Sequence, residues 1–215
     1  MGIIKTKAII IAENNLGDYD KMLTMLTPGL GKIGCAAKGA RKPTSLLLAG
    51  TQFLCFGEYI LYKGTGSYNI NSCETIEIFY KIRQDLDKLN YSTYITKIII
   101  DVTNENQNSY KILQLFLNTL YVISEELLNI SLIIPIFKLR LVSTLGFMPN
   151  KSFFTKYMKL SEGTEDIIKY VIMSEAKKIY NISASETVIK ELEIWIDLYM
   201  EEVLENNYKM SKFML

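Results

Sequence analysis

The hydrophobic period of this sequence changes near residue 80. Up to that point apolar residues alternate with polar or small ones in short segments, which is the period of β-strands. Beyond it apolar residues recur every three or four positions, which is the period of α-helices. Because the strand-like segments all precede the helix-like ones, we predict an α+β fold with a β-domain over residues 1–80 and an all-α domain over residues 81–215.

The segment 17–43 has the clearest β pattern. After an apolar strand comes a turn at 27–31 that contains proline and glycine, and then a second strand in which Ile33, Cys35 and Ala37 share one face. The predicted strands lie at 3–13, 22–27, 32–38, 51–63 and 67–79. Five antiparallel strands of this length fit a small closed barrel, of either the OB or the SH3-like kind.

The all-α domain divides into helical segments with recognisable starts. Ser161 and either Ser183 or Ser185 are predicted N-caps. The segment 131–147 is apolar on nearly every face, as expected of a helix at the centre of a bundle, and Pro135 lies near its first turn. The predicted helices lie at 82–102, 109–124, 131–147, 161–180 and from 183 or 185 to 203.

Few residues of this chain are suited to catalysis. It contains no His, which removes the usual general base and the commonest metal ligand. Its three cysteines, Cys35, Cys55 and Cys73, are widely spaced and odd in number, which argues against a disulfide framework and against a metal site. Asp18 and Asp20 lie in a turn, where aspartate is common because its side chain can hydrogen-bond to the nearby backbone. We predict no active site, no cofactor and no bound metal.

The chain shows no membrane-targeting pattern. Its first residues lack the charged and then apolar layout of a signal peptide. No apolar run reaches the roughly 20 residues that a membrane helix needs, since Lys138 and Arg140 interrupt the most hydrophobic region. We therefore predict a soluble, cytoplasmic protein.

Residues 38–43, with the sequence KGARKP, place Lys38, Arg41 and Lys42 on a glycine-containing loop. Such a loop can grip phosphates, because basic side chains reach outward and backbone amides approach closely. A solvated loop without a ligand would have the same composition. Residues 1–72 carry eight Lys or Arg against four Asp or Glu, although the net charge of the whole chain is only +1. This local excess favours a polyanionic ligand for the β-domain.

A single-stranded nucleic acid is held by a positive groove along its backbone and by aromatic rings on which bases stack. The candidate phosphate contacts are Lys5, Lys7, Lys32, Lys38, Arg41, Lys42 and Lys63. The candidate stacking residues are Tyr19, Tyr59, Tyr62 and Tyr68, and for each of them packing in the barrel is the alternative. About five phosphate contacts predict a slope of about −3.5 for log affinity against log salt. Because no segment reads as a base-reading helix, we expect sequence-tolerant binding.

Several short segments, in the same order along the chain, resemble the RecO family of bacterial recombination mediators. They are Tyr19-Asp20-Lys21, Leu26-Thr27-Pro28 with Gly31-Lys32, 37–43 with Ala49-Gly50-Thr51, 57–64, and Leu145-Gly146-Phe147-Met148-Pro149. The resemblance implies that the barrel is OB-fold-like. It also implies a nucleoid-associated protein that binds single-stranded DNA, anneals complementary strands and, with RecR, helps to load RecA on DNA covered by single-strand-binding protein (SSB). Double-stranded DNA is left open as a further ligand.

The resemblance also implies a partner for the all-α domain. RecO-like proteins grip the acidic, phenylalanine-ended tail of SSB, which requires an apolar pocket with a positive rim. Lys138 and Arg140 are the candidates for this rim, and snorkelling of their side chains to water is the alternative. Many family members carry a four-cysteine zinc module after the Leu-Gly-Phe segment, but residues 150–157 contain no cysteine. We predict no zinc, with apolar packing of Phe153, Phe154 and Tyr157 in its place.

Two other classes of function are compatible with the sequence. In the first, the barrel docks a protein partner, the chain is a non-enzymatic adaptor and the basic loop binds nothing. In the second, the chain processes nucleotides or phosphoryl groups at an atypical site that uses Asp18 or Asp20. DNA affinity that is absent at low salt would favour the adaptor, and metal-dependent turnover would favour the enzyme.

Overall fold

Five β-strands occupy the first part of the chain in a computed structural model, which describes residues 2–149 and 156–210. The strands are β1 (Ile3–Leu16), β2 (Asp20–Thr27), β3 (Gly31–Ala37), β4 (Phe56–Lys63) and β5 (Tyr68–Glu77). They close into a barrel in the order β1-β2-β3-β5-β4. The sheet confirms the predicted OB-fold-like β-domain.

One pair of neighbouring strands is parallel, so the prediction of five antiparallel strands is wrong at that pair. Cys35 and Ala36 of β3 lie opposite Tyr68 and Asn69 of β5 in parallel register. The reason is geometric. In a closed ring with an odd number of strands, the directions cannot alternate all the way round, and at least one pair must be parallel.

Strand β1 is longer than predicted because it pairs with two neighbours in turn. Its first half pairs with β4, from Ile3 opposite Tyr62 onward, and its second half pairs with β2. The pairing of β1 with β2 has a register shift between Ile10 and Ala12, as at a β-bulge. Strand β4 is shorter than predicted, because residues 51–55 form turns. The barrel is filled by the inward residues of all five strands, which include Ile10, Leu23, Met25, Ile33, Cys35, Tyr59, Leu61 and Ile70.

Helices follow the barrel, as predicted. Among the described residues they are α1 (Tyr80–Arg83), α2 (Leu86–Val102), α3 (Tyr110–Ser124), α4 (Ile130–Thr144), α5 (Glu162–Met173) and α6 (Glu186–Leu204). The side chains of Ser161 and Ser185 accept hydrogen bonds from the backbone of α5 and α6, which confirms both N-caps. Helix α4 is buried on most sides, as its apolar sequence predicts. Helix α5 ends at Met173 rather than near residue 180, because Ser174 is extended.

The chain folds into two compact units. The barrel unit contains the barrel through Tyr80 together with Thr96–Leu113, and the helical unit contains Lys81–Ile95 and the chain from Gln114 onward. Residues 104–109 join the barrel unit through the β2–β3 turn, since the amide of Lys32 donates to the carbonyl of Asn104 and the amide of Asn106 donates to that of Leu30. Part of the predicted all-α domain therefore packs with the barrel.

We predict that Gly31→Ala destabilises the protein by roughly 2–4 kcal/mol, because it adds both overpacking and left-handed backbone strain. Gly31 has a φ of +70°, and a Cβ at this position would lie 2.0 Å from the carbonyl oxygen of Asn104. The measurement is urea unfolding. Gly29→Ala in the same turn is the matched control, since its Cβ would meet no atom within 4 Å. Equal stability of the two variants would contradict the prediction.

Candidate nucleic-acid interface

Residues 38–42, called the basic loop below, follow directly after β3. Ala40 in the middle of the loop is fully buried and belongs to the barrel core. Lys38 and Lys42 on either side of it are exposed, and Arg41 is half-buried. The buried Ala40 therefore anchors the loop, while its basic side chains stay at the surface.

The basic loop is fastened to the turn between β1 and β2 by three hydrogen bonds. The amide of Gly39 donates to Oδ1 of Asp20 over 2.7 Å. The amide of Arg41 donates to the carbonyl of Tyr19 over 2.9 Å, and Nη1 of Arg41 donates to the carbonyl of Gly17 over 3.1 Å. Loop and turn thus form one surface, although they are distant in sequence.

Tyr19 brings an aromatic ring to this surface. Its side chain is 52% exposed, and the ammonium of Lys42 lies 5.5 Å from the centre of its ring. That distance allows a cation–π contact. Four of the predicted DNA-binding residues, Tyr19, Lys38, Arg41 and Lys42, are therefore together, and we call them the basic patch. Three cations beside an exposed ring are the groups that hold a phosphate backbone and stack a base.

Lys63 is related to the basic patch through the pairing of three neighbouring strands. It pairs with Tyr68, and Tyr68 pairs with Cys35, which is three residues before Lys38. Lys63 is therefore two strands away from the end of β3 and next to the β4–β5 turn. Its neighbour Tyr62 is half-buried and lies opposite Ile3 and Asn69.

The other three predicted phosphate contacts have different surroundings. Lys7 lies opposite Glu58 across β1 and β4, and the ammonium of Lys5 lies 2.6 Å from Oε1 of Glu58. This hydrogen-bonded ion pair raises the pKa of Lys5. Lys32 is half-buried, and its Nζ donates to the carbonyl of Ile100 over 2.5 Å. Each of these lysines therefore has a carboxylate or a backbone carbonyl as its neighbour.

Tyr59 and Tyr68 are not stacking residues, so those two candidates are wrong. Both side chains are buried in the barrel core. The hydroxyl of Tyr59 donates to the carbonyl of Gly50 over 2.7 Å, and burial raises its pKa. A ring enclosed on both faces by core residues has no surface to offer a base.

Sequence reasoning missed two structural roles of charged residues near the patch. Asp20 holds the basic loop through Gly39, whereas the sequence suggested only a turn. Lys21 is buried, and its Nζ bonds to Glu13 over 2.7 Å and to the carbonyl of Thr51 over 3.1 Å. The alternation of residues along β2 could have indicated that Lys21 is buried, since it shares the inward face of this strand with Leu23 and Met25.

Lys138 and Arg140 do not form the positive rim that was predicted for a partner tail. Lys138 is 1% exposed, its Nζ lies 2.6 Å from Oδ1 of Asp197, and it also lies over the ring of Tyr94. Burial lowers the pKa of Lys138, and Asp197 opposes that change. Arg140 donates from Nη1 to the carbonyls of Val171 and Ile172 in the last turn of α5. Both side chains are engaged within the helical unit, and Lys138 does not snorkel to water.

A cavity of about 440 Å³ in the helical unit has the wrong charge for an acidic tail. Its charged lining groups are three carboxylates and one amine, and the amine of Lys88 lies 2.5 Å from Oε1 of Glu126. The lining includes Asp85, Asp87, Lys88, Tyr91, Ile123, Glu126, Ile130 and Ile133. Carboxylates would repel an acidic peptide at this cavity.

The cysteines do not form a metal site in the described part of the chain. Cys35 and Cys55 are buried, Cys73 is half-buried, and all three are free thiols. Burial raises the pKa of Cys35 to about 12. Within residues 2–149 and 156–210 there is no group of three or more Cys, Asp or Glu placed to hold a metal ion. Phe153 and Phe154, which were predicted to replace the zinc module, lie outside the described residues.

The helices of the described ranges are too short or too polar to span a bilayer.

Comparison with known proteins identifies two family models along the chain. Residues 1–79 match the model described as Recombination protein O N terminal, and residues 83–156 match Recombination protein O C terminal. The DNA repair protein RecO of Acetivibrio thermocellus is 37% identical, with 99% of this chain and 96% of the relative aligned. That of Thermoanaerobacter sp. is 29% identical, with 99% and 97% aligned, and that of Alkaliphilus metalliredigens is 34% identical, with 69% and 60% aligned.

The alignment with the Acetivibrio protein runs over 242 positions, which is more than the 215 residues of this chain. That relative therefore carries segments that this chain lacks.

The buried pair of Lys138 and Asp197 leads to a prediction for the helical unit. Lys138→Met should lower the free energy of unfolding by about 3 kcal/mol, because it leaves the carboxylate of Asp197, which is only 12% exposed, without its partner. Lys138→Met combined with Asp197→Leu should be less destabilised than Lys138→Met alone. Urea unfolding of the single and double variants measures both effects.

A surface ion pair provides the control for that cycle. Lys169 on α5 lies 3.4 Å from Glu165 and is 48% exposed, so Lys169→Met should change the stability little. A Lys138→Met variant as stable as the control would contradict the prediction.

Proposed function

This chain belongs to the RecO family of DNA repair proteins, and from that premise we propose that its barrel unit binds single-stranded DNA without sequence preference and anneals complementary strands. Membership of the family gives the chain a role in DNA repair and recombination. The observation that carries the finer proposal is the basic patch, in which the fold assembles three cations and one exposed ring from two separate segments.

The position of the patch supports this proposal, because Tyr19 borders the usual nucleic-acid-binding site of OB-folds. These barrels use the face of strands 2 and 3 and the loops that connect strands 1–2 and 4–5. Tyr19 belongs to the β1–β2 turn, and Lys63 is the last residue of β4. Tyr19 therefore lies at the loop between strands 1 and 2, and Lys63 lies next to the loop between strands 4 and 5.

The outer face of β2 and β3 is also suited to an extended strand. On this face Thr24 lies opposite Gly34 and Met22 lies opposite Ala36, so β3 contributes a small residue to each of these two pairs. Gly34 is exposed, and a Cβ built on it would meet no atom within 4 Å. A flat surface next to the cations lets a sugar–phosphate chain lie close to the sheet.

Annealing follows from charge neutralisation and needs no bond-making step, so we propose a non-enzymatic role. Two single strands repel each other through their phosphates. Cations that cover part of this charge lower the repulsion, and base pairing supplies the driving force. If Lys38, Arg41, Lys42 and Lys63 each contact one phosphate, the log–log salt slope is about −2.8 for a single strand.

The wider role is proposed from the family. We propose that the protein acts with RecR to load RecA on SSB-coated DNA, binds the SSB tail through the helical unit, and works in the cytoplasm at the nucleoid. Double-stranded DNA is a further proposed ligand, since phosphate contacts do not distinguish strand number. The tail-binding residues are to be sought among exposed cations other than Lys138, which is buried.

The test is the rate of annealing of two complementary oligonucleotides. We expect the wild type to accelerate annealing and the triple variant Lys38→Ala, Arg41→Ala, Lys42→Ala to lose most of this effect. Affinity for unrelated single-stranded oligonucleotides should be similar. The triple variant should reduce the magnitude of the salt slope by about 2, since roughly 0.7 is lost for each phosphate contact.

The matched control removes the same charge elsewhere. Lys159, Lys177 and Lys190 are exposed residues of the helical unit, and their replacement by Ala should leave annealing unchanged. Equal loss in both triple variants would indicate that net charge rather than the patch matters. No DNA binding by the wild type at low salt would favour a protein-binding adaptor, and a strong preference for one sequence would contradict sequence-tolerant binding.

We also predict that the purified protein holds no stoichiometric zinc. A structural zinc site needs four ligands of the Cys or His type, whereas the sequence has three cysteines, all before residue 80, and no His. Elemental analysis of the metal-to-protein ratio tests this prediction. One zinc per chain that survives dialysis against a chelator would overturn it.

A further inference from the structure

We infer that Asp20 is a positioning residue that strengthens DNA binding, although its carboxylate is negative and lies within a positive patch. The inference rests on the proposed function. Asp20 begins β2 and is half-buried, and its Oδ1 accepts the hydrogen bond from the amide of Gly39 over 2.7 Å. That oxygen joins the start of one strand to the hinge of the basic loop.

Gly39 controls where the cations of the loop point. It has a φ of +65°, so the chain reverses at this residue in a conformation that glycine favours. Its amide is held by Asp20, and its carbonyl accepts from the amide of Lys42 over 3.1 Å. Lys38 precedes Gly39 directly, so the positions of both exposed lysines of the loop depend on this one residue.

The remaining contacts of the loop do not depend on Asp20. Ala40 stays in the barrel core, and Arg41 keeps its bonds to the carbonyls of Tyr19 and Gly17. Loss of the Asp20 carboxylate should therefore loosen the hinge without unfolding the barrel. A loose loop must be ordered when DNA binds, and that ordering opposes binding.

A role of Asp20 in charge and a role in positioning predict opposite changes in DNA affinity when Asp20 is replaced by Ala. If only charge mattered, removal of a carboxylate from the patch would tighten binding to a polyanion. Positioning predicts that Asp20→Ala weakens binding by about tenfold, the change expected from loss of one hydrogen bond to a charged group. Asp20→Asn keeps an oxygen acceptor without the charge, so it should bind at least as tightly as the wild type.

Asp18 provides the matched control. It is an exposed carboxylate two residues away, and the hydrogen bonds described above between the turn and the basic loop involve Gly17, Tyr19 and Asp20 instead. Asp18→Ala removes the same charge from the same turn and should bind DNA as tightly as the wild type or more tightly. Opposite effects at positions 18 and 20 would separate positioning from charge.

The experiment measures the affinity of the full chain for a fluorescent oligothymidine by anisotropy, with circular dichroism and thermal melting of each variant. Asp20→Glu is a second variant that keeps the charge but displaces the oxygen by one methylene group. It should bind more weakly than the wild type, whereas charge alone predicts no change, so it decides the question even if Asp20→Ala fails to fold.

Two results would overturn the inference, and they have different consequences for the proposed function. If the wild type binds but folded Asp20→Ala and Asp20→Glu bind as tightly as it does, the positioning role is wrong and the proposed function stands. If the wild type itself does not bind oligothymidine at low salt, the inference and the proposed function fail together. Weak binding by Asp20→Ala that Asp20→Asn restores supports both.

Discussion

A ring of five strands must contain a parallel pair, and in this barrel that pair is β3 and β5. The two strands overlap at only two residue pairs. Strand β4 begins beside the far end of β5, with Phe56 opposite Glu77, so the chain must travel along the barrel between β3 and β4. Residues 38–55 make this connection, and the basic loop is its first part. Because β3 meets only the start of β5, whereas β4 begins beside its end, this stagger requires the segment that carries the candidate site.

The connection is held to the barrel along its length. Asp20 and Tyr19 bind its beginning, and Lys21 bonds to the carbonyl of Thr51 further on. Near its end the amide of Leu54 donates to the carbonyl of Ile10. A segment without regular structure is therefore fixed by side chains and backbone of β1 and β2. That attachment explains how surface cations can have defined positions on a loop.

Local patterns predicted much of this structure, and contacts between distant residues explain most of what they missed. The alternation of 32–38 and the caps at Ser161 and Ser185 depend on neighbouring residues, so they could be read directly. Strand β4 carries Ile60 and Tyr62 outward and Tyr59 and Leu61 inward, so apolar character alone could not show which of the two tyrosines faces the core. A lysine in an apolar helix can snorkel or form a buried pair, and only the position of Asp197 on α6 decides this for Lys138. The basic loop was recognised from composition, whereas its attachment through Asp20 required the fold.

The contact between Lys42 and Tyr19 bears on how a bound strand would be presented to its complement. An aromatic ring has two faces, and the ammonium of Lys42 lies over one of them. At most one face is left for a base, so under the proposed function the basic patch would stack a single nucleotide while its cations hold the neighbouring phosphates. A surface that stacked every base would compete with the incoming strand. A surface that holds mainly the backbone leaves the Watson–Crick edges of the remaining bases exposed to a second strand.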